Sequence, residues 1–139
     1  MSLEVTDSPN PADEAFVIGH VHAYNAQFTE KDVRRLCVFT RLPDGTIIGG
    51  LTGKTYWGYL EVAFLWVAES QRKAGHGTGL LQAAETEARR RGCQHAILDT
   101  YSYQALGFYQ KNGYKEFGRL TGFSGRHERY YLRKEISVC

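Results

Sequence analysis

One segment of the chain has the residue types and spacing that bind a phosphate group. It runs from Ser70 to Leu80, with the sequence SQRKAGHGTGL, and joins the most apolar predicted strand to the strongest predicted helix. Its three glycines, at alternate positions, let the backbone approach a ligand closely. The unpaired N–H groups of a first helical turn attract an anion, and Arg72 and Lys73 add two positive charges. We therefore expect a phosphate or pyrophosphate ligand.

The spacing of these glycines differs from two common phosphate motifs. A P-loop requires a Lys-Ser or Lys-Thr pair after its glycines, and this segment has none. A dinucleotide fingerprint, GxGxxG starting at Gly75, requires a glycine where Leu80 stands. The pattern is Arg72-x-x-Gly75-x-Gly77. A glycine-rich turn that only connects a strand to a helix is the alternative, and the elements on both sides favour the phosphate site.

Hydrophobic periodicity predicts the elements that position this loop. We expect one domain over residues 1–139, with residues 1–12 as a loosely ordered lead-in. Helices are predicted at about 13–26, with Asp13 as the N-cap, at 77–91 and at 103–112. Strands are predicted at 33–41, 46–56, 59–68, 94–100, 114–120 and 129–136. This order predicts an α/β fold with a mixed, mainly antiparallel central sheet and helices on both faces. Glu85–Arg89 and Glu87–Arg91 are expected to pair on the helix at 77–91.

Composition and charge limit the classes of partner. Hydrophobic residues make up 42% and charged residues 23%, as in ordinary globular domains. The net charge of +2 gives no reason to expect nucleic acid, and the run Arg89–Arg91 fits a solvated helix face. Cys37, Cys93 and Cys139 lack metal-ligand spacing, so we expect neither a metal nor a disulfide framework. No signal sequence or membrane-spanning apolar run is present, which predicts a cytoplasmic protein without a membrane partner.

The loop and a second motif resemble the GNAT superfamily of acyl-CoA-dependent N-acyltransferases. Arg72, Gly75 and Gly77 match the family's acyl-CoA signature, [Q/R]-x-x-G-x-[G/A]. The segment Asp99–Tyr114 resembles the strand–helix segment in which a Phe-Tyr pair precedes a Gly-aromatic turn. The resemblance spans about residues 33–134 and implies a GNAT-like fold. It also implies direct transfer of an acetyl group from acetyl-CoA, the co-substrate, to a primary amine, with no metal and no acyl-enzyme.

The resemblance also implies which residues hold acetyl-CoA. The backbone of Leu65, Trp66 and Val67 would pair with the pantetheine arm like an added strand, while their side chains also fit a core strand. The other implied contacts come from the loop, from the helix after it and from the second motif: Arg72, Lys73, Ala74, Gly75, His76, Gly77, Thr78 and Gln104.

The catalytic roles are less fully specified. The resemblance implies that Tyr109, from the Phe-Tyr pair, donates a proton to the departing thiolate. Regular strand alternation puts Glu61 on the same face as Leu65, where its carboxylate could take the proton of the ammonium group. An ion-paired surface role for Glu61 is equally consistent with the pattern, and Asp99 or water is the alternative base. Tyr24 and Asn25, at the end of the first helix, and Asp99 are predicted to contact the acceptor.

Two classes of function follow. The leading hypothesis is an N-acetyltransferase acting on a small-molecule amine; the alternative is a non-catalytic acyl-CoA-binding module with a sensing or structural role. The sequence leaves open which amine is acetylated and how long the acyl group is. It also leaves the oligomeric state open, since Phe123, Tyr130 and Tyr131 fit either the core or a homodimer interface.

Overall fold

The computed structural model describes residues 2–137, so that Cys139 lies outside the described part of the chain. The chain divides between Asp32 and Val33 into two compact units, and the prediction of one domain over residues 1–139 stays a prediction. Within residues 2–137, no helix is both long enough and apolar enough to cross a membrane.

The first unit contains one helix, α1 (Pro11–Asn25). The Asn10 side chain caps it by accepting a hydrogen bond of 2.9 Å from the Ala12 N–H. Pro11 occupies the first helical position, where its fixed φ suits the helix and its missing N–H costs nothing. The prediction of Asp13 as the N-cap is therefore wrong, since the helix begins two residues earlier. No side chain of α1 is buried.

The second unit is a six-stranded sheet with two α-helices. In space the strand order is β1-β2-β3-β4-β6-β5, and every neighbouring pair is antiparallel except β3 and β4. The predicted mixed, mainly antiparallel sheet is confirmed, with element ends displaced by at most three residues. In chain order the elements are β1 (Arg34–Arg41), β2 (Ile47–Tyr56), β3 (Tyr59–Val67), α2 (His76–Arg90), β4 (His95–Tyr101), α3 (Leu106–Lys111), β5 (Lys115–Phe123) and β6 (His127–Glu135).

Helices α2 and α3 contribute to one core on one face of the sheet. Leu81 and Ala84 of α2 are fully buried, in one cluster with Leu60 of β3, Leu132 of β6 and Tyr109 of α3. Helix α2 connects β3 to β4, helix α3 connects β4 to β5, and both connections move toward the same edge of the sheet. Because connections between parallel strands are almost always right-handed, both helices lie on the same face. The opposite face, which we call the open face, has neither helix on it. Helices on both faces stay a prediction, since α1 belongs to the first unit.

The core contains one buried charged network. Glu85 of α2, only 3% exposed, accepts hydrogen bonds from the Tyr114 hydroxyl at 2.9 Å and the Lys134 ammonium at 2.8 Å. Burial, and then the Glu85 carboxylate, raise the pKa of the Tyr114 phenol. The predicted Glu85–Arg89 pair is wrong, because position 85 lies on the buried side of α2. The Glu87–Arg91 pair is confirmed, with an N···O distance of 2.9 Å.

Candidate active site and cofactor cavity

The site lies where two parallel strands diverge. Strands β3 and β4 pair only over three positions, with Tyr59–Glu61 opposite His95–Ile97. Beyond them β3 runs on to Val67, while β4 runs on to Tyr101 and pairs there with β6. The second half of β3 therefore has no β4 partner, and a strand edge of this kind binds an extended chain through backbone hydrogen bonds.

A β-bulge interrupts β3 just before this gap. Thr52 of β2 lies opposite Phe64, whereas the next residue, Gly53, lies opposite Val62. Ala63 is therefore an extra residue in β3, opposite which β2 has no matching residue. Such a bulge inverts the alternation of side chains, so residues on either side of it change face.

The bulge changes the position predicted for Glu61. Leu60 is fully buried before the bulge, whereas after it Leu65 and Val67 are the residues that pack against the core. Glu61 therefore lies on the open face, as Trp66 does. The prediction that Glu61 and Leu65 share a face is wrong, because it assumed a regular strand.

A cavity of about 880 Å³ occupies the gap between the end of β3, the start of α2 and the start of α3. It brings together Tyr109 and ten predicted cofactor residues, Leu65, Trp66, Val67, Arg72, Lys73, Gly75, His76, Gly77, Thr78 and Gln104. Ala74, also predicted, is not among the lining residues. Six further residues that line the cavity were not predicted from the sequence: Gln71, Tyr103, Ala105, Gly107, Phe108 and Lys111. For Phe108, its place in the Phe-Tyr pair was a usable signal.

The start of α2 is open toward an anion. Gly75, the N-cap residue, has a φ of 83°, and no side chain caps the first turn or places a carboxylate there. The N–H groups of this turn and their partial positive charge are therefore available to a phosphate. Gly77 has a second reason to be glycine, since a Cβ there would lie 3.1 Å from Cζ of Phe108.

Two polar side chains of the cavity also fix its walls. Arg72 Nε donates a hydrogen bond of 3.0 Å to the Val67 carbonyl, which ties the loop to the end of β3. Gln104 Oε1 accepts hydrogen bonds from the Tyr101 N–H at 2.8 Å and the Thr100 hydroxyl at 3.2 Å. Gln104 thereby closes the turn between β4 and α3.

Tyr109 presents a phenol at the cavity wall. Its side chain is 9% exposed and packs in the core cluster, while the residue also lines the cavity. Burial, and then the negative charge of Asp99, raise the pKa of the Tyr109 phenol above its usual value. The group is therefore protonated at neutral pH and can donate a proton or a hydrogen bond.

Glu61 is held in place on the open face. Its Oε1 accepts a hydrogen bond of 3.1 Å from the Tyr56 hydroxyl, and Oε2 lies 3.5 Å from the Lys54 ammonium. Burial, and then Glu61, raise the pKa of the Tyr56 phenol. Neither neighbour was predicted from the sequence, although the hairpin turn at Trp57-Gly58 would have placed Lys54 opposite Glu61. Glu61 is not among the residues that line the cavity.

The predicted acceptor residues lie in different parts of the chain. Asp99 pairs with Arg129 at 2.8 Å. Tyr24 and Asn25 end α1 in the first unit, where Tyr24 is 61% exposed and its ring contacts Phe28. Their contacts with an acceptor stay predictions. Among residues 2–137, no three His, Cys, Asp or Glu side chains form a group that could hold a metal ion.

Comparison with known proteins gives one consistent family. Residues 4–114 match the model of the acetyltransferase (GNAT) family. The chain is 36% identical over 137 residues to acetyltransferase Atu2258 of Agrobacterium fabrum, covering 98% of this chain and 100% of that protein. It is 37% identical over 93 residues to the blasticidin-S acetyltransferase of Streptomyces morookaense, covering 66% of this chain and 68% of the relative.

Solved structures have the same fold. A Bacillus cereus acetyltransferase superposes with a TM-score of 0.86 at 29% identity, covering 95% of this chain and 97% of that chain. A Bacillus anthracis protein solved in complex with acetyl coenzyme A superposes with a TM-score of 0.66 at 20% identity. That match covers 78% of this chain and 64% of the other, and at this identity it shows the fold alone.

Proposed function

Because this chain belongs to the acetyltransferase (GNAT) family and is an acetyltransferase, we propose that it transfers an acetyl group from acetyl-CoA directly to a primary amine. The amine nitrogen forms a bond to the acetyl carbon while the carbon–sulfur bond breaks. No acyl-enzyme forms, the amine loses one proton, and the CoA thiolate gains one.

The observation that carries the proposal is the gap between β3 and β4, with its anion site at one end. The backbone of Leu65, Trp66 and Val67 would pair with the pantetheine arm. The first turn of α2 would bind the pyrophosphate, with the charge of Lys73 close by. Holding the thioester and the amine together lowers the entropic cost of their reaction.

The amine would approach from the open face, because the core fills the other face of the sheet. Glu61 is the carboxylate that we propose as the base, acting directly or through water. Lys54 and the Tyr56 hydroxyl hold this carboxylate in place on the open face. Asp99 or water is the alternative base; Arg129 donates a hydrogen bond of 2.8 Å to one oxygen of Asp99.

Tyr109 would donate its phenolic proton to the sulfur as the carbon–sulfur bond breaks. The side chain lines the cavity and is protonated at neutral pH, for the reasons given above. A positioned general acid of this kind typically accelerates a reaction by about 10²–10⁴-fold.

A small-molecule amine is the acceptor class that we propose. The relative named blasticidin-S acetyltransferase supports this class, since its name identifies an antibiotic as its substrate. The near-neutral net charge of +2 gives no indication of a strongly cationic acceptor.

A panel of amines tests the proposal by the CoA that each releases from acetyl-CoA, measured with a thiol reagent. We expect release with at least one primary amine, and about 10²–10⁴-fold slower turnover in Glu61→Gln with acetyl-CoA affinity unchanged. Glu69→Gln removes an exposed carboxylate outside the cavity lining and is the matched control. Acetyl-CoA binding without release for any amine would instead support a non-catalytic acyl-CoA-binding module.

A further inference from the structure

Helix α1 carries an exposed apolar stripe. Residues 15–25 contain no Asp, Glu, Lys or Arg, and Phe16, Val17, Val21 and Tyr24 form one large apolar stripe along them. All four side chains are more than half exposed, and no residue of α1 is buried. An apolar stripe on a helix normally packs against another surface, so we expect a surface to cover this one.

The open face of the second unit carries an exposed aromatic patch. Phe39 is 51% exposed, Phe64 is 76% exposed and Trp66 is 53% exposed. Phe39, Gly50 and Trp66 face one another across β1, β2 and β3, and a Cβ on Gly50 would lie 3.1 Å from the Phe39 ring. The ring therefore extends over the glycine, and the patch continues from β1 to β3.

The two units carry opposite charges. Residues 2–32 contain six carboxylates and one lysine, for a net charge of −5, while residues 33–137 contain 16 Lys and Arg and nine Asp and Glu, for a net charge of +7. Asp13 and Glu14 lie in the first turn of α1. Arg35 and Lys54 face each other on β1 and β2, next to Glu61 on the open face. The acidic unit thus complements the basic one.

We propose that two copies of this chain form a two-fold symmetric dimer in which α1 of each copy packs on the aromatic patch of the other. A second copy carries both the helix and the aromatic patch. In a two-fold dimer the contact between helix and patch therefore forms twice, as an isologous interface requires. If each of the seven exposed side chains lost about 90 Å², the two contacts would bury on the order of 1,200 Å², the lower end of the range for stable interfaces.

The test uses two double variants that each remove one half of the contact. Phe16→Asp/Val21→Asp changes the helix, and Phe39→Asp/Phe64→Asp changes the patch. Leu42→Asp/Ile47→Asp is the control, since it introduces the same charges at exposed apolar residues near the β1–β2 turn. Circular dichroism and acetyl-CoA titration check the fold, and Phe39→Asp alone replaces the patch variant if that variant does not fold.

Sedimentation equilibrium of the full chain gives the result. We expect the wild type and the control to be dimers at about 10 µM, and each double variant to dimerise at least about 100-fold more weakly. An equimolar mixture of the two double variants should dimerise more strongly than either alone, because one intact helix and one intact patch meet in the mixed dimer. A monomeric wild type, a dimeric helix variant or patch variant, or a mixture no stronger than its components would overturn the proposal.

Discussion

Gly77 gives the sharpest test of the loop, because two physical reasons for this glycine predict different results. One reason is the close approach of a phosphate to the first turn of α2. The other is the Phe108 ring, which would lie 3.1 and 3.2 Å from a Cβ at position 77. A Gly77→Val variant meets both obstacles, so the loss that it causes has to be divided between them.

The expected magnitudes follow from these contacts. Carbon atoms in contact prefer about 3.5–4.0 Å, so the Phe108 ring has to retreat by about 0.5 Å. Overpacking of this kind typically costs about 1–3 kcal/mol, offset by only about 0.3 kcal/mol when valine, itself a weak helix former, replaces a helical glycine. Losing one or two hydrogen bonds to a charged phosphate costs about 1.5–3 kcal/mol, which corresponds to about 10–100-fold weaker binding of acetyl-CoA.

Calorimetric titration with acetyl-CoA, together with chemical denaturation, separates the two reasons. We expect Gly77→Val to bind about 10–100-fold more weakly, and Gly77→Val/Phe108→Leu to recover stability without recovering affinity. Gly79→Ala is the control, since a Cβ there meets no atom within 4 Å. Wild-type affinity in Gly77→Val would refute the anion site at α2. Full recovery of affinity in the double variant would assign the glycine to packing alone.

Three further predictions follow from single contacts. Tyr109→Phe should lower turnover by about 10-fold or more with little change in melting temperature, and wild-type turnover with chemistry rate-limiting would contradict the donor role. In the wild type, activity that depends on this phenol should persist above pH 10 in a pH–rate profile, because the raised pKa keeps the group protonated; a loss well below pH 10 would contradict this. Glu85→Ala should lower the free energy of unfolding in urea by about 2–4 kcal/mol, since it leaves Lys134 and the Tyr114 hydroxyl without their shared partner; a loss below about 1 kcal/mol would show that the network relaxes.

Local sequence patterns predicted most of the fold and the cofactor loop. Hydrophobic periodicity and turn residues gave the order of the elements, and the resemblance to the GNAT superfamily implied ten of the residues that line the cavity. The position of Glu61 could not be predicted in the same way. A single extra residue, Ala63, changes the face on which the side chains that follow it in β3 lie. No residue type in the sequence indicates this bulge.

Two other errors have different origins. Asp13 and Asn10 are equally good N-caps by type, and Pro11, which suits the first helical position, was the sequence signal that favoured Asn10. Glu85 and Arg89 have ideal spacing for a surface pair, but Glu85 turns inward to Tyr114 and Lys134, which come from distant parts of the chain. Long-range contacts therefore determined the orientation of Glu85, which local spacing could not predict.

The short β3–β4 pairing has a consequence for cooperativity. Only three residue pairs join the β1-β2-β3 half of the sheet to the β4-β6-β5 half, and parallel pairing is slightly weaker per residue than antiparallel pairing. The two halves also share one core, which includes Leu60 and Leu132, so without acetyl-CoA we expect faster amide exchange at the strand ends beside the gap than in that core. A pantetheine arm bound to β3 would complete the sheet there, so binding should slow amide hydrogen exchange on both sides of the boundary. The co-substrate would then act as a structural part of the folded protein as well as the donor in its reaction.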